Sequence, residues 1–146
     1  MIPHHANPIL IVDTREQRPY SFADALTKTL HTGDYSVEGF EDRIAIERKS
    51  LSDLLGCIGG GRERFERELE RLGRMPYAAL IIEASLRDVL QGDMHSTLHP
   101  NAVLGSLCAW SMRYRLPIWF CDNRRLAQMV TERLLMKAAK YSRGSE

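Results

Sequence analysis

Cysteine is scarce in this chain of 146 residues: Cys57, Cys108 and Cys121 are an odd count at wide spacing. That suits neither a disulfide framework nor the paired ligands of a zinc site, so all three are expected as small buried hydrophobes. Long apolar runs are missing too. No stretch approaches the roughly 18 residues that cross a bilayer, and Met1 to Pro8 offers no basic segment followed by an apolar one. The reading is a cytoplasmic protein without a membrane partner. Nor is there a surplus of one charge, because 20 Lys and Arg stand against 19 Asp and Glu, a formal net charge of +1. Low-complexity sequence is confined to Gly59-Gly60-Gly61 and a frayed tail from Arg143 to Glu146. The triple glycine lacks the Gly-Lys-Ser/Thr of a phosphate-binding loop and follows a helical pattern instead of a strand.

What is there describes one globular domain, 44% hydrophobic and 27% charged, large enough to bury a core without a structural metal. Charge is uneven along it. Residues 1–109 carry 12 Lys and Arg against 16 Asp and Glu, whereas residues 110–146 carry 8 against 3. The basic C-terminal quarter is either a solvated helix face or a surface for phosphates.

Short apolar runs alternate with helical patterns, which points to α/β. Pro8 to Val12, Ala78 to Glu83 and Pro117 to Cys121 are continuous apolar runs, of the kind found in strands buried on both faces, and are expected at the sheet centre. Arg43 to Lys49 reads as a strand paired with Asp34 to Val37 across the polar loop Glu38 to Asp42. Helices are expected after the caps Ser50, Ser85 and Asn123, over Arg62 to Leu72, and after Pro100. The predicted inward residues are Leu104, Leu107, Cys108 and Trp110 or Ser111 in the fourth helix and Leu126, Met129, Val130 and Leu134 in the last. Trp110, Trp119 and the methionines are assigned to the core. His95 and His99 are four apart beside Pro100, a loop context that does not set two imidazoles on one metal, and His4 and His5 sit near the start of the chain.

Chemistry concentrates between Asp13 and Asp53. A hard divalent cation such as Mg²⁺ takes carboxylate oxygens, so a site for phosphodiester hydrolysis needs acidic side chains converging from neighbouring strands. Asp34 and Glu47 can supply them. The two-residue period of a strand puts Glu47 and Lys49 on one face and Arg48 on the other, and the Lys49 ammonium can position a water or stabilise charge building on phosphorus.

Gly33-Asp34, thirteen residues further on Glu47-Arg48-Lys49, then Asp53 resembles the GD…ERKxxxD signature of the XPF-type structure-specific endonucleases, a branch of the PD-(D/E)XK nuclease superfamily. The upstream Val12-Asp13-Thr14-Arg15-Glu16 is similar to that family's first strand. The resemblance covers about residues 9–140 and implies a restriction-endonuclease-like mixed sheet flanked by helices, here as a single nuclease domain over residues 1–146. It also implies a metal-dependent endonuclease for branched or non-B-form DNA, with Mg²⁺ as cofactor and Mn²⁺ as a substitute. Asp34, Glu47, the backbone carbonyl of Arg48 and Asp13 would hold the metal, and Lys49 would be the catalytic lysine. Arg15 and Glu16 belong to the motif. Asp53 is either a helix-dipole residue that also pairs with Lys49 or Arg48, or part of the site. Arg48 is either part of the site or an ion-pair partner of Asp13 or Glu16.

DNA is the partner this implies, with Arg62, Arg64, Arg124, Arg125, Lys137 and Lys140 as candidate phosphate contacts; a solvated charged helix is the alternative for Arg62 and Arg64. Neither the helix-hairpin-helix domain nor the helicase that accompany many family members is expected here, which resembles a bare bacterial or phage module. A homodimer or a second nuclease-like subunit is implied. Two rival readings stand beside this one: a catalytically silent module that binds DNA or protein, and a junction-resolvase or restriction-type nuclease of the same superfamily.

Overall fold

Apolar runs bounded by turn residues become strands, and amphipathic runs behind Ser, Asn or Pro become helices. In the computed structural model, which describes residues 7–92 and 97–144, the strands are β1 (Leu10–Asp13), β2 (Ala25–Lys28), β3 (Tyr35–Val37), β4 (Ile44–Lys49), β5 (Tyr77–Ile82) and β6 (Ile118–Phe120). They form one sheet in the order β2-β1-β3-β4-β5-β6. β3 runs antiparallel to both β1 and β4, while the β1–β2, β4–β5 and β5–β6 pairs are parallel. The helices are α1 (Leu51–Ile58), α2 (Arg62–Gly73), α3 (Leu86–Gln91), α4 (Pro100–Tyr114) and α5 (Arg124–Arg143). His4, His5, His95 and residues 145–146 lie outside the described residues.

Side-chain alternation in β4 divides the molecule into layers. Ala45 packs with α1, α2 and α4 around Leu54, Phe65, Leu69, Leu107 and Trp110. Ile44 and Ile46 point the other way, into a second core with Tyr20, Tyr35 and the α5 residues Ala127, Leu135 and Ala139. Glu47 and Lys49 therefore emerge on the α1–α2 side, and Arg48 on the α5 side. The helix starts follow their caps: the Ser50 side chain accepts from the Asp53 N–H, and Ser85 and Asp88 form a reciprocal capping box.

Several expectations are corrected. β2 was not foreseen, because its four residues form a mostly exposed edge with no apolar alternation. Pro117 to Cys121 does not form a central strand. β6 is the other edge, with Trp119 45% exposed. In α4 the inward residues are Val103, Leu107 and Trp110, leaving Cys108 exposed. That helix carries apolar residues on more than one side, so periodicity alone does not choose its buried face. In α5 the buried stripe is Ala127, Thr131, Leu135, Ala138 and Ala139. Small residues let this helix lie close to the sheet, which turns Met129 outward and leaves Leu126, Val130 and Leu134 on the flank. Met112, Met129 and Met136 are exposed rather than core. Of the cysteines, Cys121 is buried and Cys57 half-buried. Among the described residues no helix is long and apolar enough to cross a membrane.

Candidate active site

Three strand ends meet where the sheet changes from antiparallel to parallel pairing. The Asp13 N–H donates to the Asp34 carbonyl at 2.9 Å, and the Asp34 N–H to the Ile46 carbonyl at 2.8 Å. The chain enters β3 through Gly33 at φ +80°, where a Cβ would stand 3.0 Å from Ala45 Cβ and 3.1 Å from the Ile46 carbonyl. Both the backbone angle and the space require glycine beside Asp34.

Asp34 Oδ2 accepts the Arg48 N–H at 2.8 Å. Glu47 is only 7% exposed, and its carboxylate pairs with Lys49 Nζ at 3.2 Å. The Lys49 ammonium also lies 5.3 Å over the Phe65 ring of α2, a cation–π contact that fixes a flexible side chain. These groups floor a polar cleft of about 240 Å³, with Arg15, His31, Glu68 and Arg71 also on its walls. Burial pushes both Asp34 and Glu47 above the usual carboxylate range; nearby Glu16 adds to this at Asp34, and the Asp34 charge adds to it at Glu47. At Lys49 burial acts to lower the pKa, but the charge and hydrogen bond of Glu47, together with nearby Cys57 and Glu68, outweigh it and raise the pKa above its ordinary value.

Asp13 is engaged by its own strand end. Oδ2 accepts Arg15 Nε at 2.9 Å, and Oδ1 accepts the Leu30 N–H at 2.8 Å. Burial acts to raise its pKa, but these hydrogen bonds prevail and hold it below the usual range.

Arg48 points away from the cleft into an ion network. Its Nε reaches Glu83 at 2.8 Å, and its Nη1 reaches Glu16 at 3.0 Å and the Arg18 carbonyl at 2.8 Å. The guanidinium stacks 4.7 Å over the Tyr20 ring, and the hydroxyls of Tyr20 and Tyr35 donate to Glu83 and Glu16. Of the two partners expected for Arg48, Glu16 is one; Asp13 is taken by Arg15. Glu83 was missed, although a carboxylate ending the apolar run of β5 was its visible signal. Asp53 is exposed in the first turn of α1 and forms no ion pair with Lys49 or Arg48. It lines a second polar cleft beside Arg48, Arg15 and Arg18.

The candidate DNA contacts are scattered. Arg62 donates to Ser106 at 2.9 Å and stacks 4.8 Å over Trp110. Arg64 lies 3.9 Å from Glu68. Arg124 donates to the Pro19 carbonyl at 2.9 Å and lies 5.0 Å over Tyr20. Arg125, Lys137 and Lys140 are exposed on α5, and Lys137 lines an apolar groove with Trp119 and Tyr141.

A sequence profile of the ERCC4 domain matches residues 12–133, from β1 through half of α5. The chain belongs to the ERCC4-domain family of XPF-type nucleases. The same restriction-endonuclease-like fold occurs in XPF from Aeropyrum pernix, with a TM-score of 0.70 at 21% identity over 92% of this chain and 67% of that one. The structure of that protein in complex with DNA matches with a TM-score of 0.72 at 21% identity, over 91% and 66% of the two chains. A protein of Methanocaldococcus jannaschii that carries the name of an ATP-dependent RNA helicase is 30% identical over 135 residues. The match takes in 90% of this ERCC4 domain and 15% of that longer protein.

A divalent cation is the cofactor this fold family implies, and the donor set fits one. Asp34 and Glu47 are two buried carboxylates on adjacent strands, both raised in pKa, with Lys49 as the cation paired to Glu47. Among the described residues no three His, Cys, Asp or Glu side chains form a cage. Carboxylate oxygens are the donors that a hard divalent cation takes.

Proposed function

We propose that this ERCC4 domain is a divalent-metal-dependent endonuclease that hydrolyses phosphodiester bonds in branched or otherwise non-B-form DNA. The observation that carries the reading is Asp34, Glu47 and Lys49 together on the floor of one open polar cleft. Two buried carboxylates side by side are an unfavourable arrangement that burial raises in pKa, and such an arrangement is characteristic of a site that works on a cation or a proton. The fold shared with an XPF protein whose structure holds DNA supports the choice of substrate.

Asp34, Glu47 and the carbonyl of Arg48 would hold Mg²⁺, with Mn²⁺ able to replace it. When bound, the cation supplies Lewis-acid stabilisation of the phosphate charge. Each protein group has a separate task. The Arg48 N–H donates to Asp34 Oδ2 and holds this carboxylate at the cleft wall. Glu47 holds Lys49 in place at 3.2 Å. Held against Glu47, Lys49 is placed to donate hydrogen bonds to the attacking water or to the developing charge on phosphorus. Arg48 is a positioning residue: its side chain anchors the end of β4 from the far face of the sheet.

The test is cleavage of labelled flap, fork, duplex and single-stranded DNA with Mg²⁺, with Mn²⁺ and with a chelator. Metal-dependent cutting that favours branched substrates is expected, and Asp34→Ala or Glu47→Ala should abolish it while the protein remains folded. Wild-type cutting by both variants rejects the site. Binding without cutting under every metal condition selects the silent module instead.

A further inference from the structure

Two polar clefts flank Arg15, which lines both. The first, of about 240 Å³, contains Asp34, Glu47, Lys49 and Arg71. The second, of about 250 Å³, contains Arg18, Arg48, Ser50 and Asp53. The first cleft is rich in carboxylates, with Asp13, Asp34, Glu47 and Glu68 on its lining, whereas the second sets Arg15, Arg18 and Arg48 against Glu16 and Asp53. A net charge of +1 spread over the whole chain provides little attraction at long range, so a polyanion depends on cations local to the clefts.

Three arginines fill that role. Arg15 is pre-set, because its Nε and Nη2 are tied to Asp13 and to the Leu30 carbonyl while its side chain stays 68% exposed. Arg18 is exposed, and its carbonyl is fixed by Arg48 Nη1. Arg62 and Arg64 on α2, and Arg74 just after it, each pair with a glutamate of that helix. Arg71 forms no ion pair among the described residues and instead lines the first cleft. A guanidinium with free N–H groups is suited to grip a phosphate with two parallel hydrogen bonds.

We infer that the two clefts form one phosphate track for a DNA strand: the scissile phosphate lies in the first, the phosphate of a neighbouring nucleotide in the second, and Arg15, Arg18 and Arg71 hold the backbone between and beside them. The inference rests on the endonuclease reading for which phosphate is cut, but not for where the strand is held. It moves the electrostatic grip from the basic face of α5 to the rims of the clefts. α5 packs on the opposite face of the sheet from Glu47, and neither cleft contains Lys137 or Lys140.

The experiment measures the affinity of the full chain for labelled flap and single-stranded DNA against salt concentration, in chelator so that no cutting occurs. The double variant Arg18→Gln/Arg71→Gln removes two side chains that make no ion pair among the described residues, so its thermal midpoint should match the wild type. Its salt slope should fall by about 1.4 on single-stranded DNA, and by about 1.8 on the flap if both contacts fall on its duplex arms, the loss for two phosphate contacts. Arg18→Lys/Arg71→Lys should keep the wild-type slope, and so should Lys137→Gln/Lys140→Gln. An unchanged slope in the glutamine pair, or a fall confined to the lysine pair of α5, overturns the track. Cutting in Mg²⁺ is read on the same proteins. A wild type that cuts while the Arg18/Arg71 slope stays unchanged overturns the track and leaves the endonuclease reading standing; one that shows the slope loss without any cutting does the reverse.

Discussion

Replacing Arg48 by methionine keeps much of its apolar stem and removes the guanidinium at the centre of the ion network. The Arg48 side chain is 12% exposed and its partners Glu16 and Glu83 are 14% and 8% exposed, so water cannot replace the lost cation. Breaking a buried pair from one side typically costs about 3–5 kcal/mol. The Tyr20 and Tyr35 hydroxyls still donate to Glu83 and Glu16, which places the loss near the lower end, about 3 kcal/mol. For a chain of this size that corresponds to a drop of roughly 10 °C in thermal midpoint. The sign with pH follows from Glu83. Burial acts to raise its pKa, but its hydrogen bonds from Arg48 and Tyr20 prevail and hold it below the ordinary 4.5. In the wild type this contributes stability at pH above 4.5 that is lost as pH falls through the lowered value. In Arg48→Met burial acts with less opposition, the Glu83 pKa rises, and the penalty is relieved as the group takes up a proton. The gap between wild type and variant should therefore narrow from pH 7 toward pH 4, and Glu83→Gln in the variant background should recover part of the loss at pH 7. Urea unfolding at several pH values measures this. A loss below about 1 kcal/mol, or a gap that widens on acidification, refutes the account of Arg48 as a buried anchor.

Gly33→Ala should destabilise by about 1–3 kcal/mol, since φ +80° and a contact of 3.0 Å to Ala45 leave no room for Cβ; a melt indistinguishable from the wild type counts against that packing. Lys49→Met should slow the single-turnover rate by a hundredfold or more while a metal titration stays nearly unchanged, because an ammonium is not a ligand. Equal rates in the two proteins remove Lys49 from the mechanism.

The sequence alone carried the layer pattern and the carboxylate pair. Apolar runs with β-branched residues marked β1, β4 and β5, capping residues marked the helix starts, and strand alternation put Glu47 and Lys49 on one face with Arg48 on the other. These are local properties, fixed by backbone period and side-chain chemistry over a few residues. Partners distant in sequence were not legible. Arg48 and Glu83 are 35 residues apart and meet because β4 and β5 pair in parallel; Tyr20 joins them from a loop with no periodicity. Likewise, Trp119 and Cys108 are exposed because β6 closes an edge of the sheet and α4 turns Val103, Leu107 and Trp110 inward. Hydrophobicity along the chain says that a side chain can be buried, but only the packing of neighbouring elements decides which of several apolar faces is covered. The same holds for charge: the basic surplus of residues 110–146 is plain in the sequence, but it falls on the side of the sheet away from Glu47 because the small-residue stripe of α5 seats that helix there.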